Sequence, residues 1–124
     1  MIDKKTISNI IPISIHDGSL KNVKWIEDKL FFSIEGSYKS KNYKITLCFH
    51  GVSWIRNVCD EKHDGYVKGS QYEEYPLIDR DKLNENYKEF VSYGLLDDIT
   101  LLGNNVVCVN DIFFFNANSV EVIK

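Results

Sequence analysis

Hydrophobic and polar residues alternate most regularly over residues 43–50. The apolar positions of that run share one face of a strand, and they are Tyr43, Ile45, Leu47 and Phe49. Residues 30–36 alternate in the same way, with Leu30, Phe32 and Ile34 on one face. Because one face of each run is apolar and the other largely polar, the two runs predict neighbouring antiparallel strands with one face in the core.

Shorter β-rich runs predict the rest of the sheet. They cover residues 20–26, 99–102, 106–109, 111–115 and 120–123, and residues 11–16 and 52–58 are further candidates. Polar turn residues separate most of these runs, which is typical of a meander. The run 111–115 carries few charges that would guard a sheet edge, so it is a candidate edge strand able to pair with a second chain. We therefore expect a monomer or a weak homodimer.

One helix is predicted near residues 80–93. Apolar side chains recur there at i, i+4, i+7 and i+8, and they are Leu83, Tyr87, Phe90 and Val91. Asp79 or Asp81 can cap the N-terminus, and Gly94 stands where a helix commonly ends. The sum is an α+β fold in a single domain spanning residues 1–124. It has a predominantly antiparallel β-sheet of about seven strands and one packed helix.

Composition agrees with a strand-rich protein and points to a compartment. The chain is 44% hydrophobic, enough for a core in 124 residues, and Ala117 is its single alanine. No stretch approaches the ~20 apolar residues of a membrane span, and the first residues lack the apolar core of a signal peptide. The three cysteines, Cys48, Cys59 and Cys108, are an odd number, which excludes a complete set of internal disulfides. We expect a reduced, cytoplasmic protein without a membrane partner.

Few residue patterns suggest catalysis. The tripeptide His-Asp-Gly occurs at residues 16–18 and 63–65, but Asp-Gly is ordinary turn chemistry. No Gly-x-Ser-x-Gly elbow and no phosphate-binding glycine loop is present. The acid pairs Glu73-Glu74 and Asp97-Asp98 lack an apolar pocket pattern beside them. We expect no enzyme and no cofactor.

One spacing leaves a metal site open. Cys48, His50, Cys59 and His63 form the pattern C-x-H-x8-C-x3-H, and all four are zinc-ligand types. Cys48 and His50 would point to the same face of one strand. The alternative interpretation is therefore a small-molecule or zinc-binding domain, or a minor enzyme, built on these four residues. A buried structural cysteine with surface histidines explains the same pattern, so no metal is assigned.

Charge is divided unevenly along the chain. Residues 1–59 carry nine basic and five acidic side chains, residues 60–81 carry three and seven, and residues 82–124 carry three and six. The net charge of −3 argues against a nucleic-acid partner held by phosphate contacts. Residues 60–81 are thus the most acidic part of the chain. Residues 59–76, which overlap them, show no strand or helix pattern, and this predicts a long loop. Carboxylates and tyrosines on such a loop suit an interface that steers a basic protein partner. A solvated loop whose tyrosines lie flat on the domain explains the same composition.

The segments PISIHDGSLKNVKWIEDKLFFSIEG and YKITLCFHGV resemble small bacterial immunity proteins of polymorphic toxin and contact-dependent growth inhibition systems. The resemblance covers about residues 11–52 and rests on the strand pattern together with the framework positions His16, Asp17, Phe49, Gly51 and Val52. It implies a protein that binds a cognate toxin domain and blocks it. It transfers no catalytic set.

Together these features predict an immunity protein that neutralises a toxin domain, expected to be a nuclease, by stoichiometric occlusion through an acidic surface. The partner-binding residues predicted on that surface are Asp60, Glu61, Asp64, Tyr66, Tyr72, Glu73, Glu74 and Tyr75. The tyrosines would supply affinity, and the acids would speed association.

Overall fold

The computed structural model describes residues 18–57, 75–90, 95–96, 99–101, 105–109 and 113–123. These residues form two antiparallel sheets and one short helix, which confirms the predicted fold class. The strands are β1 (Gly18–Ile26), β2 (Lys29–Tyr38), β3 (Lys41–His50), β4 (Ile55–Asn57), β5 (Leu95–Leu96), β6 (Ile99–Leu101), β7 (Val106–Val109), β8 (Phe113–Asn116) and β9 (Ser119–Ile123). Sheet 1 has the order β5-β1-β2-β3-β9, and sheet 2 has the order β4-β8-β7-β6.

The two sheets pack face to face on a shared aromatic core. Phe32 and Phe49 of sheet 1 have ring centroids 5.6 Å apart in an edge-to-face arrangement. Phe115 of sheet 2 lies 5.9 Å from Phe32 and 5.0 Å from Phe49. All three rings are excluded from solvent. The apolar faces predicted for β2 and β3 therefore form one wall of a sandwich, and sheet 2 forms the other.

A β-bulge explains the burial pattern of β1. Its register with β2 shifts between Leu20 and Asn22, so Lys21 and Asn22 are both exposed. The inserted residue lets Leu20 and Val23 both face the core, although three positions separate them. Val23 and Trp25 share the buried face, as the alternation predicts.

Strand β8 is not an edge strand, so that prediction is wrong. It lies between β4 and β7, and Phe113, Phe114 and Phe115 are all buried. Phe114 points away from the shared core, and its ring packs edge-to-face on Trp54 and Tyr75. Both faces of β8 are covered, which explains its run of apolar residues. An edge strand with few charged residues would show the same sequence pattern, so the pattern alone does not distinguish the two positions.

The helix is shorter than the predicted range of residues 80–93. Helix α1 covers Arg80–Glu85 and is capped by Asp79, whose side chain accepts a hydrogen bond from the Lys82 main-chain N–H at 3.1 Å. Asn86 has φ −151° and ψ 78°, which stops the α-helix, and a 3-10 turn follows over Tyr87–Glu89. The apolar stripe still meets the core, because Leu83 is part of it and the half-buried Tyr87 and Phe90 pack against it. Val91 and Gly94 lie outside the described residues.

Among the described residues, no helix is long and apolar enough to cross a membrane. Cys48 and Cys108 are buried, on sheet 1 and sheet 2 respectively. The predicted strand at residues 11–16 lies outside the described residues. The structure adds one element that the sequence pattern did not predict, the two-residue strand β5, which pairs with Gly18 and Ser19 at the start of β1.

Candidate functional site

Most of the predicted partner-binding surface lies outside the described residues. This holds for Asp60, Glu61, Asp64, Tyr66, Tyr72, Glu73 and Glu74, which all fall within residues 58–74. We call residues 58–74 the acidic segment, since it contains five acidic and two basic side chains. Tyr75, the eighth residue of the prediction, is described.

The two flanks of the acidic segment are joined to each other. The Asn57 main-chain N–H donates to the Pro76 carbonyl at 2.9 Å, and the Ile78 N–H donates to the Ile55 carbonyl at 2.7 Å. The Arg56 guanidinium donates to the Tyr75 carbonyl at 2.7 Å. The residues that flank the acidic segment therefore lie side by side at β4, which is at the edge of sheet 2.

Tyr75 is 5% exposed, and its ring centroid lies 5.7 Å from that of Phe114. With Val106, Cys108 and Phe114 it forms a second buried cluster on the outer side of sheet 2. Its side chain thus anchors the end of the acidic segment to the fold.

The basic half of the chain is displayed on sheet 1. Five lysines of its first three strands and the turns between them are exposed, and they are Lys21, Lys29, Lys39, Lys41 and Lys44. Lys44 pairs with Glu35 across β3 and β2 at 3.1 Å, with the lysine side chain 81% exposed. A pair this exposed contributes little to stability.

A second candidate site is formed by Cys48, His50 and Glu121 on the outer face of sheet 1. Cys48 and His50 are two positions apart on β3 and therefore share a face, and the register of β3 with β9 places Glu121 directly opposite Cys48. The Cys48 Sγ lies 3.6 Å from the His50 Nε2, and the same nitrogen lies 2.7 Å from the Glu121 Oε1. Three different donor atoms therefore converge.

The geometry does not favour a cysteine nucleophile. Burial raises the pKa of the Cys48 thiol, and the Glu121 carboxylate adds to the rise; Asp28 raises it further, while Lys29 lowers it. A nucleophilic thiol needs the opposite shift, because the thiolate is the reactive form. In a catalytic triad the base also uses one ring nitrogen for the nucleophile and the other for the carboxylate. Here the His50 Nε2 faces both partners.

The predicted four-residue metal pattern is met only in its first half. The structure brings Cys48 and His50 together, whereas Cys59 and His63 lie outside the described residues. Sequence reasoning missed Glu121, which is 71 positions from His50 and carries no local pattern that relates the two. The pairing of β3 with β9, which the sequence did not establish, is what places Glu121 there.

The described framework positions have structural roles. Phe49 and Val52 are buried in the shared core, and Gly51 has a left-handed φ of 77°. The Val52 N–H donates to the Asp28 carbonyl at 2.8 Å, which ties the end of β3 to the turn between β1 and β2. His16 and Asp17 lie outside the described residues.

Comparisons with protein-family models, with curated proteins and with solved structures found no match.

Proposed function

We propose that the protein is a cytoplasmic immunity protein that binds a cognate toxin domain, expected to be a nuclease, and blocks it without chemistry of its own. The observation that carries the proposal is the division of charge along the chain, with an acidic segment set against a basic sheet. The resemblance of residues 11–52 to immunity proteins points to the same class of partner.

The anchoring of the acidic segment supports this proposal. Its flanks are held by main-chain hydrogen bonds beside β4 and by the buried ring of Tyr75. A binding segment that begins and ends at fixed, adjacent points presents its side chains from a rigid base. Five of the 17 residues in this segment are acidic and two are basic, so the segment carries a net negative charge.

Occlusion follows from charge complementarity. A nuclease binds its substrate through a basic groove, and an acidic segment that enters the groove competes with the phosphates. The exposed lysines of sheet 1 would repel the same groove, so the proposed contact uses the acidic segment and not the lysine-bearing surface of sheet 1. Tyr66 and Tyr72 would provide the lasting contacts, since tyrosine is enriched among the residues that dominate binding energy.

The test is co-expression with the toxin domain encoded directly upstream, followed by co-purification and a toxicity assay. The variant Asp64→Lys/Glu73→Lys/Glu74→Lys is expected to abolish protection and to lower the association rate by ~10-fold or more at low salt. Tyr66→Ala and Tyr72→Ala are expected to raise the dissociation rate instead.

A matched control replaces three exposed glutamates elsewhere with lysine, and they are Glu27, Glu85 and Glu89. It changes the net charge by the same amount and is expected to keep protection. If both triple variants lost protection equally, the effect would come from net charge and not from the acidic segment. Full protection by the acidic-segment variant would refute the assignment of the site.

A further inference from the structure

We propose that Cys48, His50 and Glu121 form a binding site for a divalent cation of the zinc class. Within the described part of the chain, these three residues are the group whose ligand atoms all lie within 4.8 Å of one another. The inference does not rest on the proposed toxin partner.

The spacing of the donor atoms fits tetrahedral coordination. With a sulfur ~2.3 Å and a nitrogen ~2.05 Å from zinc, tetrahedral angles place the two ligand atoms ~3.6 Å apart. The Cys48 Sγ and the His50 Nε2 are 3.6 Å apart. A nitrogen and a carboxylate oxygen on the same ion would be ~3.3 Å apart, so the 2.7 Å contact between His50 and Glu121 must open by ~0.6 Å. The Glu121 side chain is 56% exposed and is free to make that movement.

The donor set selects the class of metal. A thiolate, an imidazole and a single carboxylate suit zinc and its neighbours among the transition metals, whereas magnesium and calcium prefer oxygen ligands throughout. Three protein ligands leave the fourth tetrahedral position for water or for a ligand from outside.

Exposure increases in steps across the site. Cys48 is 1% exposed, the His50 side chain is 31% exposed, and the Glu121 side chain is 56% exposed. A cation can therefore enter from the carboxylate side and reach the sulfur at the inner end. The site also links β9, the edge strand of sheet 1, to β3, so a bound ion would hold that edge in place.

Cobalt(II) titration of the reduced full chain tests the site directly. We expect one cobalt per chain, with sulfur-to-cobalt charge-transfer absorption and the intense visible absorption of a tetrahedral centre. Zinc should displace the cobalt and raise the thermal unfolding temperature, because it binds the folded state alone.

Variants assign the ligands. Cys48→Ser and His50→Gln are expected to remove the charge-transfer absorption, and Glu121→Gln should weaken binding by at least ~10-fold. Two controls should bind as the unmodified chain does. Cys59→Ser removes a thiol of the alternative pattern, and Glu35→Gln removes a carboxylate elsewhere on sheet 1.

The outcomes separate clearly. If the unmodified chain shows no sulfur-to-cobalt absorption, or if Cys48→Ser retains it, the site does not exist as proposed. Loss of the absorption in Cys59→Ser would also overturn this donor set. Should Cys48→Ser fail to fold, His50→Gln and Glu121→Gln decide, since Glu121 is largely exposed.

Discussion

The side-chain amide of Asn84 pairs with both main-chain groups of Trp25. Its Oδ1 accepts from the Trp25 N–H at 2.7 Å, and its Nδ2 donates to the Trp25 carbonyl at 2.9 Å. Strand β5 pairs with β1 only at Gly18 and Ser19, so among the described residues no strand covers this part of the edge. One asparagine of α1 thus makes the two hydrogen bonds that a neighbouring strand would make.

Replacing Asn84 with alanine should lower the free energy of unfolding by ~2 kcal/mol, because two partly buried main-chain groups lose their partners. Urea denaturation followed by circular dichroism measures the loss. Asn86→Ala is the control, since the Asn86 side chain makes one exposed contact of 3.5 Å with Glu89, and its loss should cost less than ~0.5 kcal/mol. Similar losses in the two variants would contradict the edge-covering role of Asn84.

Asn116 holds the segment that follows β3. Its Oδ1 accepts from the main-chain N–H groups of Ser53 and Trp54 at 2.9 and 3.2 Å, and its Nδ2 donates to the Gly51 carbonyl and the Ser53 Oγ at 3.3 and 2.8 Å. Asn116→Ala should destabilise the protein by ~2–3 kcal/mol. Asn116→Asp keeps the acceptor and loses both donors, so an intermediate value is expected in the same urea titration. An aspartate variant as unstable as the alanine variant would contradict the expected order of the two variants.

Gly51 combines a left-handed backbone with a close neighbour. Its φ is 77°, and a Cβ placed there would clash with the Asn118 side-chain amide. Gly51→Ala should cost ~1–2 kcal/mol for the backbone and more for the displaced side chain. In an Asn118→Ala background the cost of Gly51→Ala should fall toward the backbone value alone. A double-mutant cycle from thermal or urea unfolding measures this coupling, and additive losses would remove the steric part of the argument.

Two tyrosines with raised pKa values should make the protein sensitive to alkali. Burial raises the pKa of both Tyr43 and Tyr87 above the ordinary value of 10.0. The folded state holds these protons more tightly than the unfolded state does. The stability they contribute is therefore complete below pH ~10 and is lost as the pH rises through the folded-state pKa values. In the unmodified chain, the free energy of unfolding measured by urea titration should fall from pH ~9 to pH ~11. The fall should be smaller in the double variant Tyr43→Phe/Tyr87→Phe.

The single variants should differ at neutral pH. The Tyr87 hydroxyl donates to the Leu20 carbonyl at 2.7 Å, whereas the buried Tyr43 hydroxyl has no hydrogen-bond partner among the described residues. Tyr87→Phe should cost ~1 kcal/mol, and Tyr43→Phe should be neutral or slightly stabilising. Urea titrations at pH 7 measure the free energy of unfolding of both variants. A larger loss of stability for Tyr43→Phe than for Tyr87→Phe would contradict the prediction.

Much of the secondary structure could be predicted from local pattern. Alternation identified β2 and β3 together with their buried faces, and the β-rich run 106–109 matches β7 in both of its bounds. The pattern predicts the start of the helix correctly, where Asp79 caps it, and predicts its end too late. Periodicity alone cannot separate an α-helix from an α-helix followed by a 3-10 turn, because both keep the same residues near the core.

Local sequence pattern relates only two of the three residues of the candidate metal site. Cys48 and His50 share a strand, so their common face follows from a period of two residues. Glu121 joins them only through the register of β9 on β3. The proposed acidic surface follows from charges counted along the sequence. The burial of Tyr75 does not follow from the sequence in this way, because its ring packs on Phe114 of β8.

The sequence by itself determined which residues alternate, where turns and caps fall and how charge is divided, because these depend on neighbours within a few positions. The tertiary structure alone decided that β8 lies inside sheet 2, that Asn84 and Asn116 serve distant main-chain groups, and that Glu121 meets His50. Each of these relations joins residues about 60 or more positions apart or depends on strand order. Strand order is set by how the two apolar sheet faces cover each other, which no local pattern specifies.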